Sequence, residues 1–129
     1  MTVIPMNSAM RKCLEALQEN KLIALMVDRD FTMKGEVLDF LGRPTLIPKG
    51  PAILSLKTGA PIIPVFIVRQ NNERFLLSIS EPIFPPQIVD GEVKKEDLTA
   101  LMKKYVAVIE NAIRRYPTQW LIFREFWVK

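Results

Sequence analysis

Val27-Asp28-Arg29-Asp30 and Pro64-Val65-Phe66-Ile67-Val68-Arg69 bracket the stretch whose reading decides the fold. Between them an acidic pair closes the apolar run 22–27, a Gly42-Arg43-Pro44 turn follows, and Lys49-Gly50-Pro51-Ala52 opens a helix. Strand, polar loop, helix and strand in this order is how α/β proteins hold an anionic ligand at strand ends. The run 22–27 is continuously apolar, the pattern of a strand buried on both faces. Asp28 and Asp30 therefore fall at its carboxyl end.

Working outward, Ser8 is placed to cap a helix in which Met10, Cys13, Leu14 and Leu17 recur at helical spacing up to Asn20. Residues 28–36 form a polar loop containing Gly35, and residues 37–40 a short edge strand. A helix over residues 48–58 has Pro51 at its first position and Gly59 just past its end, the favoured asymmetry of those two residues. Residues 62–69 make a second strand, and residues 75–79 return beside it after an Asn71-Asn72 turn. Leu98, Leu101, Met102, Tyr105, Ile109, Ala112 and Ile113 form one apolar stripe, the mark of a long amphipathic helix ended by Pro117. The aromatic tail 120–127 packs back on the sheet. The expected fold is α/β: a mixed sheet flanked by helices, in a single domain spanning residues 1–129.

The chain has 129 residues, 49% of them hydrophobic and 25% charged, the balance of a globular domain with a real core. A net charge of +4 favours anionic partners without choosing among them. The single Cys13 cannot form an internal disulfide and reads as a small core residue. One cysteine and no histidine speak against a zinc site, and no cofactor motif is present. No zinc finger, helix-turn-helix or aromatic RNA-binding signature points to nucleic acid. The apolar runs 22–27 and 60–68 fall far short of the ~20 residues that span a bilayer.

Six residues carry the chemical interest. Asp28 and Asp30 are close enough to bind a metal, share a proton or anchor basic groups, although solvated turn acids paired with Arg29 or Lys34 are the plainer reading of the residues alone. Lys49 and Gly50 start a helix, where backbone N–H groups favour an anion, although plain capping accounts for them as well. Arg43 in its turn and Arg69 at a strand end offer guanidinium groups suited to phosphate. The basic last helix, with Lys94, Lys95, Lys103, Lys104, Arg114 and Arg115, reads first as a solvated face and second as a docking face for anionic lipid or an acidic carrier protein.

In order and spacing these blocks resemble the bacterial lauroyl/myristoyl acyltransferases of lipid A synthesis, within the lysophospholipid acyltransferase superfamily. The family carries an Asp-Gln or Asp-His-Asp run after the apolar strand; Asp28 matches its first residue and Asp30 the last of the longer form, with Arg29 in place of the middle residue. Gly50-Pro51-Ala52 matches a Gly-Pro-Ala helix start, and Ile63-Pro64-Val65-Phe66 with Arg69 matches a Val-Pro-Val-Phe run followed by a basic residue. Pro117-Thr118-Gln119-Trp120 resembles the closing Pro-Glu-Gln-Trp, with Thr118 in place of the acid, and Arg124-Glu125-Phe126 replaces a His-Arg-Arg type run. The resemblance covers the carboxyl-terminal half of such an enzyme, a partial acyltransferase fold.

That resemblance implies acyl transfer from an acyl carrier protein thioester, or another acyl donor, to a hydroxyl of an anionic glycolipid such as a lipid A precursor. It places the work at the cytoplasmic face of the bacterial inner membrane, through a peripheral membrane surface. It gives Asp28 a supporting catalytic role, and Asp30, Arg43, Lys49, Gly50 and Arg69 substrate contacts. Ile53, Leu54 and Phe66 would border the acyl chain or simply fill the core. The family's general base is the histidine of a His-X4-Asp/Glu motif, and this chain has none. The chain alone is therefore expected to be inactive, and prone to self-association through uncovered apolar surface. The rival expectation is a non-catalytic module that binds anionic lipid or a partner protein and folds as a closed unit.

Overall fold

The computed structural model describes residues 2–5, 8–30, 32–71, 73–88, 91–123 and 125–128. Its longest element, the helix that closes the chain (Lys95–Arg115), buries Leu98, Leu101, Met102, Tyr105 and Val106 on one stripe. Glu96 and Asp97 in its first turn and Arg114 and Arg115 in its last complement the helix dipole. In chain order the elements are α1 (Ala9–Gln18), β1 (Glu36–Phe40), β2 (Arg43–Ile47), α2 (Gly50–Thr58), β3 (Val65–Arg69), β4 (Phe75–Ile79) and this helix, α3. The mixed α/β character is as expected, but the strands pair as two antiparallel hairpins, β1–β2 and β3–β4.

Turn geometry sets the first hairpin. Leu41 and Gly42 both take positive φ, 53° and 82°, as a two-residue turn matched to strand twist requires. Arg43 and Pro44 therefore begin β2; the Gly42-Arg43-Pro44 turn is corrected to Leu41-Gly42. Pro44 faces Asp39, one step beyond the hydrogen-bonded pair Phe40–Arg43, so its missing N–H costs the ladder nothing. Its carbonyl accepts a hydrogen bond from the Val128 amide at 3.0 Å. The Leu41 amide donates to Glu110 Oε1 at 2.6 Å, fixing the hairpin tip to α3.

Phe40 lies at the centre of the packing, 1% exposed. Its ring meets Trp120, Phe126 and Trp127 at centroid distances of 5.6, 5.8 and 6.3 Å. The aromatic tail thus folds back on β1–β2, as expected, and Thr45 Oγ1 ties it down by donating to the Phe126 carbonyl at 2.5 Å. On the other side of the core Tyr105 donates its hydroxyl to the Pro48 carbonyl at 2.6 Å, holding the start of α2 against α3. Burial pushes the Tyr105 pKa up, so the hydroxyl stays a donor.

Helix α2 carries Pro51 in its first turn, one residue later than expected, and stops at Gly59 in the left-handed conformation, φ 76°. Helix α1 packs on α2 and buries Cys13, whose thiol pKa burial also raises; Cys13 is a core residue. Strands β3 and β4 pair with Val65 opposite Ile79 and Arg69 opposite Phe75; Asn72 of the expected turn lies outside the described residues. The run 22–27 departs from expectation. It joins no sheet, and Leu22 and Met26 are 88% and 85% exposed. A strand is buried on both faces only when neighbours flank it, and none pairs with this run among the described residues. Among those residues, no helix is long and apolar enough to cross a membrane.

Replacing Phe40 with alanine removes the ring against which Trp120, Phe126 and Trp127 pack. We expect a loss of about 3–5 kcal/mol, read from urea unfolding followed by tryptophan fluorescence. A loss below about 1 kcal/mol would mean that the aromatic cluster does not hold the tail.

Candidate functional site

The loop that follows residue 27 is built on one carboxylate. Asp30 is buried and accepts from the Thr32 amide and hydroxyl, both at 2.7 Å, and from the Gly35 amide at 2.6 Å. Burial alone would raise its pKa. The Thr32 hydroxyl and the backbone amides of Thr32, Gly35 and Lys34 outweigh that and hold the carboxyl below its ordinary range. Gly35 has no room for a side chain: a Cβ would collide with the Ile47 carbonyl and sit 2.7 Å from Asp30 Oδ2. The loop is thereby pressed against the end of β2, just before α2 begins.

Glu36, the next residue, pairs in register with Ile47 and reaches Lys49 Nζ with its carboxylate at 3.2 Å. Lys49 caps α2, and Gly50 is its first residue, with open space around its Cα. The helix presents the unsatisfied amides of any helix N-terminus there, except at Pro51. Asp30, Lys49 and Gly50 are thus brought together by backbone geometry rather than by direct contact.

Asp28 stands at the opposite side of the same loop. Both Nε and Nη2 of Arg29 donate to its Oδ2, at 3.2 and 2.9 Å, and Arg29 Nη2 also reaches the Leu121 carbonyl at 3.3 Å. The Asp28 carboxylate is half-buried and lines an open trough of about 470 Å³. Residues 25–28 form one wall, residues 65–68 the other, and Ile109, Ala112, Ile113, Tyr116 and Trp120 line the rest. Phe66 belongs to this trough, Leu54 to a second, smaller cleft against residues 23–27, and Ile53 packs on the core.

Arg69 continues the second wall. Gln119 grips its backbone, accepting from the Arg69 amide at 2.8 Å and donating to the Arg69 carbonyl at 3.0 Å. Residues 119–121 therefore touch both Arg69 and the Arg29 that holds Asp28. The Arg69 guanidinium makes no ion pair among the described residues. Arg43 lies elsewhere. It starts β2, four residues from Ile47 or about 13 Å along the strand, with its guanidinium 5.4 Å above the Trp127 ring. Among the described residues no cluster of histidine, cysteine and acids is placed to hold a metal ion.

Arg29 and Gln119 lie outside the six candidate residues of the sequence. The signals were the ionic side chain between two acids and the polar residue in the Pro117–Trp120 block. Chemically, the arrangement offers a fixed carboxylate beside an apolar trough and, just past the trough-lining residues 65–68, a guanidinium that has no ion pair among the described residues.

Comparison with known proteins places these residues in context. All of residues 1–129 match the model of a family described as bacterial lipid A biosynthesis acyltransferase. The chain is 28% identical over 130 residues to a phosphatidylinositol mannoside acyltransferase of Mycolicibacterium smegmatis, covering 98% of this chain and 40% of that protein. It is 41% identical over 66 residues to a phosphatidylinositol mannoside acyltransferase of Mycobacterium tuberculosis, covering 48% of this chain and 21% of that one. The chain thus spans 40% or less of the length of these relatives.

Asp30→Asn keeps the shape but sets an N–H₂ group against loop amides. We expect it to destabilise the chain by about 1–3 kcal/mol at pH 7. Because the folded pKa lies below the unfolded value of about 3.9, the carboxylate's contribution is complete above that pH and disappears as pH falls through the folded pKa. The gap between the two forms in denaturant unfolding should therefore begin to close below about pH 4 and vanish below the folded pKa; a gap that does not shrink as pH falls would assign the loss to something other than the charge.

Proposed function

The chain belongs to the bacterial lipid A biosynthesis acyltransferase family, and from that premise we propose that it forms the acceptor-side portion of an enzyme that acylates an anionic glycolipid. The observation that carries this reading is Asp28, whose carboxylate Arg29 holds beside an open apolar trough, with Arg69 next in sequence after the trough-lining residues 65–68. Acyl transfer needs a hydroxyl to lose its proton, attack a thioester carbonyl and expel a thiol. A fixed carboxylate orients the group that takes that proton and stabilises the charge it acquires. Arg69 suits a lipid phosphate, which a guanidinium binds through two parallel hydrogen bonds.

Lys49 and the amides of the α2 start provide a second anion site, in competition with Glu36 for the lysine. Asp30 serves by holding the loop. Arg43 meets a more remote part of the substrate, or the membrane. Lipid A precursors and phosphatidylinositol mannosides share a sugar and a phosphate, so either fits this chemistry. The acyl donor is an acyl carrier protein or another acyl thioester, and the reaction takes place at the cytoplasmic surface of the membrane. The base is not among these residues, which include no histidine. A neutral imidazole is the natural base near pH 7, with an unperturbed pKa of about 6.5, and the remaining polypeptide must supply it. Exposed apolar residues on β3 and β4 favour this reading over a closed, self-sufficient binding module.

Purified alone, the chain should give no acyl transfer from a thioester donor to a glycolipid acceptor; turnover by it would contradict the proposal. In a complete enzyme carrying this sequence, Asp28→Asn should lower kcat about 10²-fold. Arg69→Gln should instead raise KM for the phosphorylated acceptor about tenfold with kcat little changed. Steady-state kinetics separate the two roles, and an unchanged kcat for Asp28→Asn would remove it from the mechanism.

A further inference from the structure

The trough has a property that a substrate site does not need: unpaired backbone along its walls. In the β3–β4 ladder, Ser80 donates to the Pro64 carbonyl at 2.9 Å and Gln70 to the Arg74 carbonyl at 2.7 Å. With Phe66 opposite Ser78 and Val68 opposite Leu76, the even-numbered residues of β3 face β4. The amides and carbonyls of Val65, Ile67 and Arg69 point to the other edge. Those of Arg69 are taken by the Gln119 side chain, which mimics a neighbouring strand. Those of Val65 and Ile67 have no partner among the described residues, and the Ile67 side chain is 69% exposed.

The facing wall is the same. Ile23, Leu25 and Val27 all line the cleft against α2, a period of two that marks extended chain. No backbone group of residues 22–27 has a backbone partner among the described residues. The outer edge of β3 and the extended run 22–27, neither with a backbone ladder partner on that side among the described residues, therefore border one trough. A strand in a sheet occupies a section about 4.8 by 10 Å, so about 470 Å³ holds on the order of 10 Å of strand, about three residues. Trp120, which lines the trough, also keeps its indole N–H buried without an acceptor among the described residues.

We propose that the trough is a slot for one apolar β-strand, contributed by polypeptide outside these 129 residues, which pairs with β3 through Val65 and Ile67 and joins the run 22–27 into one sheet. This rests on the reading of the chain as part of an acyltransferase, the strand coming from the portion of such an enzyme that the chain does not span. A lipid tail would fill the same volume, but hydrocarbon offers nothing to the amides and carbonyls it would cover, whereas a strand satisfies them. A flat, apolar, open edge is also what natural sheets avoid leaving uncovered.

The test co-expresses the chain with the part of the Mycolicibacterium smegmatis relative that lies outside the match, and follows hydrogen exchange of single amides. We expect a complex in which the Ile67 amide exchanges at least 100-fold more slowly than in the chain alone. Ile67→Pro, which removes an outward amide and leaves the β4 ladder intact, should weaken the complex at least tenfold while Phe66 and Val68 stay protected. No complex, or a complex with Ile67 unprotected, overturns the proposal. So does protection of Ile67 in the chain alone at high concentration, which assigns the slot to a second copy, or protection by anionic lipid vesicles alone. Acyl transfer by a complex insensitive to Ile67→Pro would reject the slot and keep the enzyme. A proline-sensitive complex that transfers no acyl group would do the reverse.

Discussion

The Asp30 carboxylate is the constraint on which the loop before β1 and the junction of β2 with α2 depend. By accepting from Thr32 and Gly35 it converts a polar stretch into a loop of fixed shape. That shape brings Gly35 onto the Ile47 carbonyl, where only a residue without a Cβ fits. Glu36 then falls into register with Ile47, β1 and β2 zip toward Leu41-Gly42, and α2 starts beside the loop. An anion-friendly helix start and an acidic loop are thus neighbours because of one buried hydrogen-bond network. Binding groups on loops held by a rigid scaffold are the common arrangement in α/β proteins.

The far end of the hairpin is held by different physics. Phe40 sits among three other aromatic rings, and Glu110 caps the Leu41 amide, so the closing segment, the hairpin and α3 form one packed body. Residues 119–121 leave that body and reach across to Arg69 and Arg29. Residues 119–121 thus join the two sides of the trough to the aromatic core. The outer surface of β3–β4 contrasts with this. Val65, Ile67, Leu77 and Ile79 lie at least half exposed, surface that globular domains normally bury.

Elements whose signals are local were legible in the sequence. The α3 stripe, the proline and glycine that frame α2, and the β3–β4 hairpin lie where periodicity and turn residues put them. The first hairpin was displaced because leucine rarely takes positive φ, so Leu41 carried no turn signal and the Gly-Arg-Pro triplet did. The run 22–27 was read correctly as apolar and wrongly as covered, since burial belongs to neighbours and not to the segment. Of the candidate residues, Asp30, Lys49 and Gly50 gather where β1 begins and β2 ends, Asp28 and Arg69 are joined through residues 119–121, and Arg43 follows the shifted turn to the start of β2. The Gln119 clamp depends on tertiary placement alone, and no sequence pattern announces a side chain that substitutes for a strand.

Family membership is shown; that these residues form one part of an acyl-transfer machine is the reading we propose from it. The most direct measurement replaces the matched 40% of the Mycolicibacterium smegmatis relative with this chain and assays acyl transfer to phosphatidylinositol mannoside. The account predicts a folded chimera that transfers an acyl group, from a chain that transfers none alone. A chimera that folds with native-like stability, binds the acceptor and shows no transfer would contradict it.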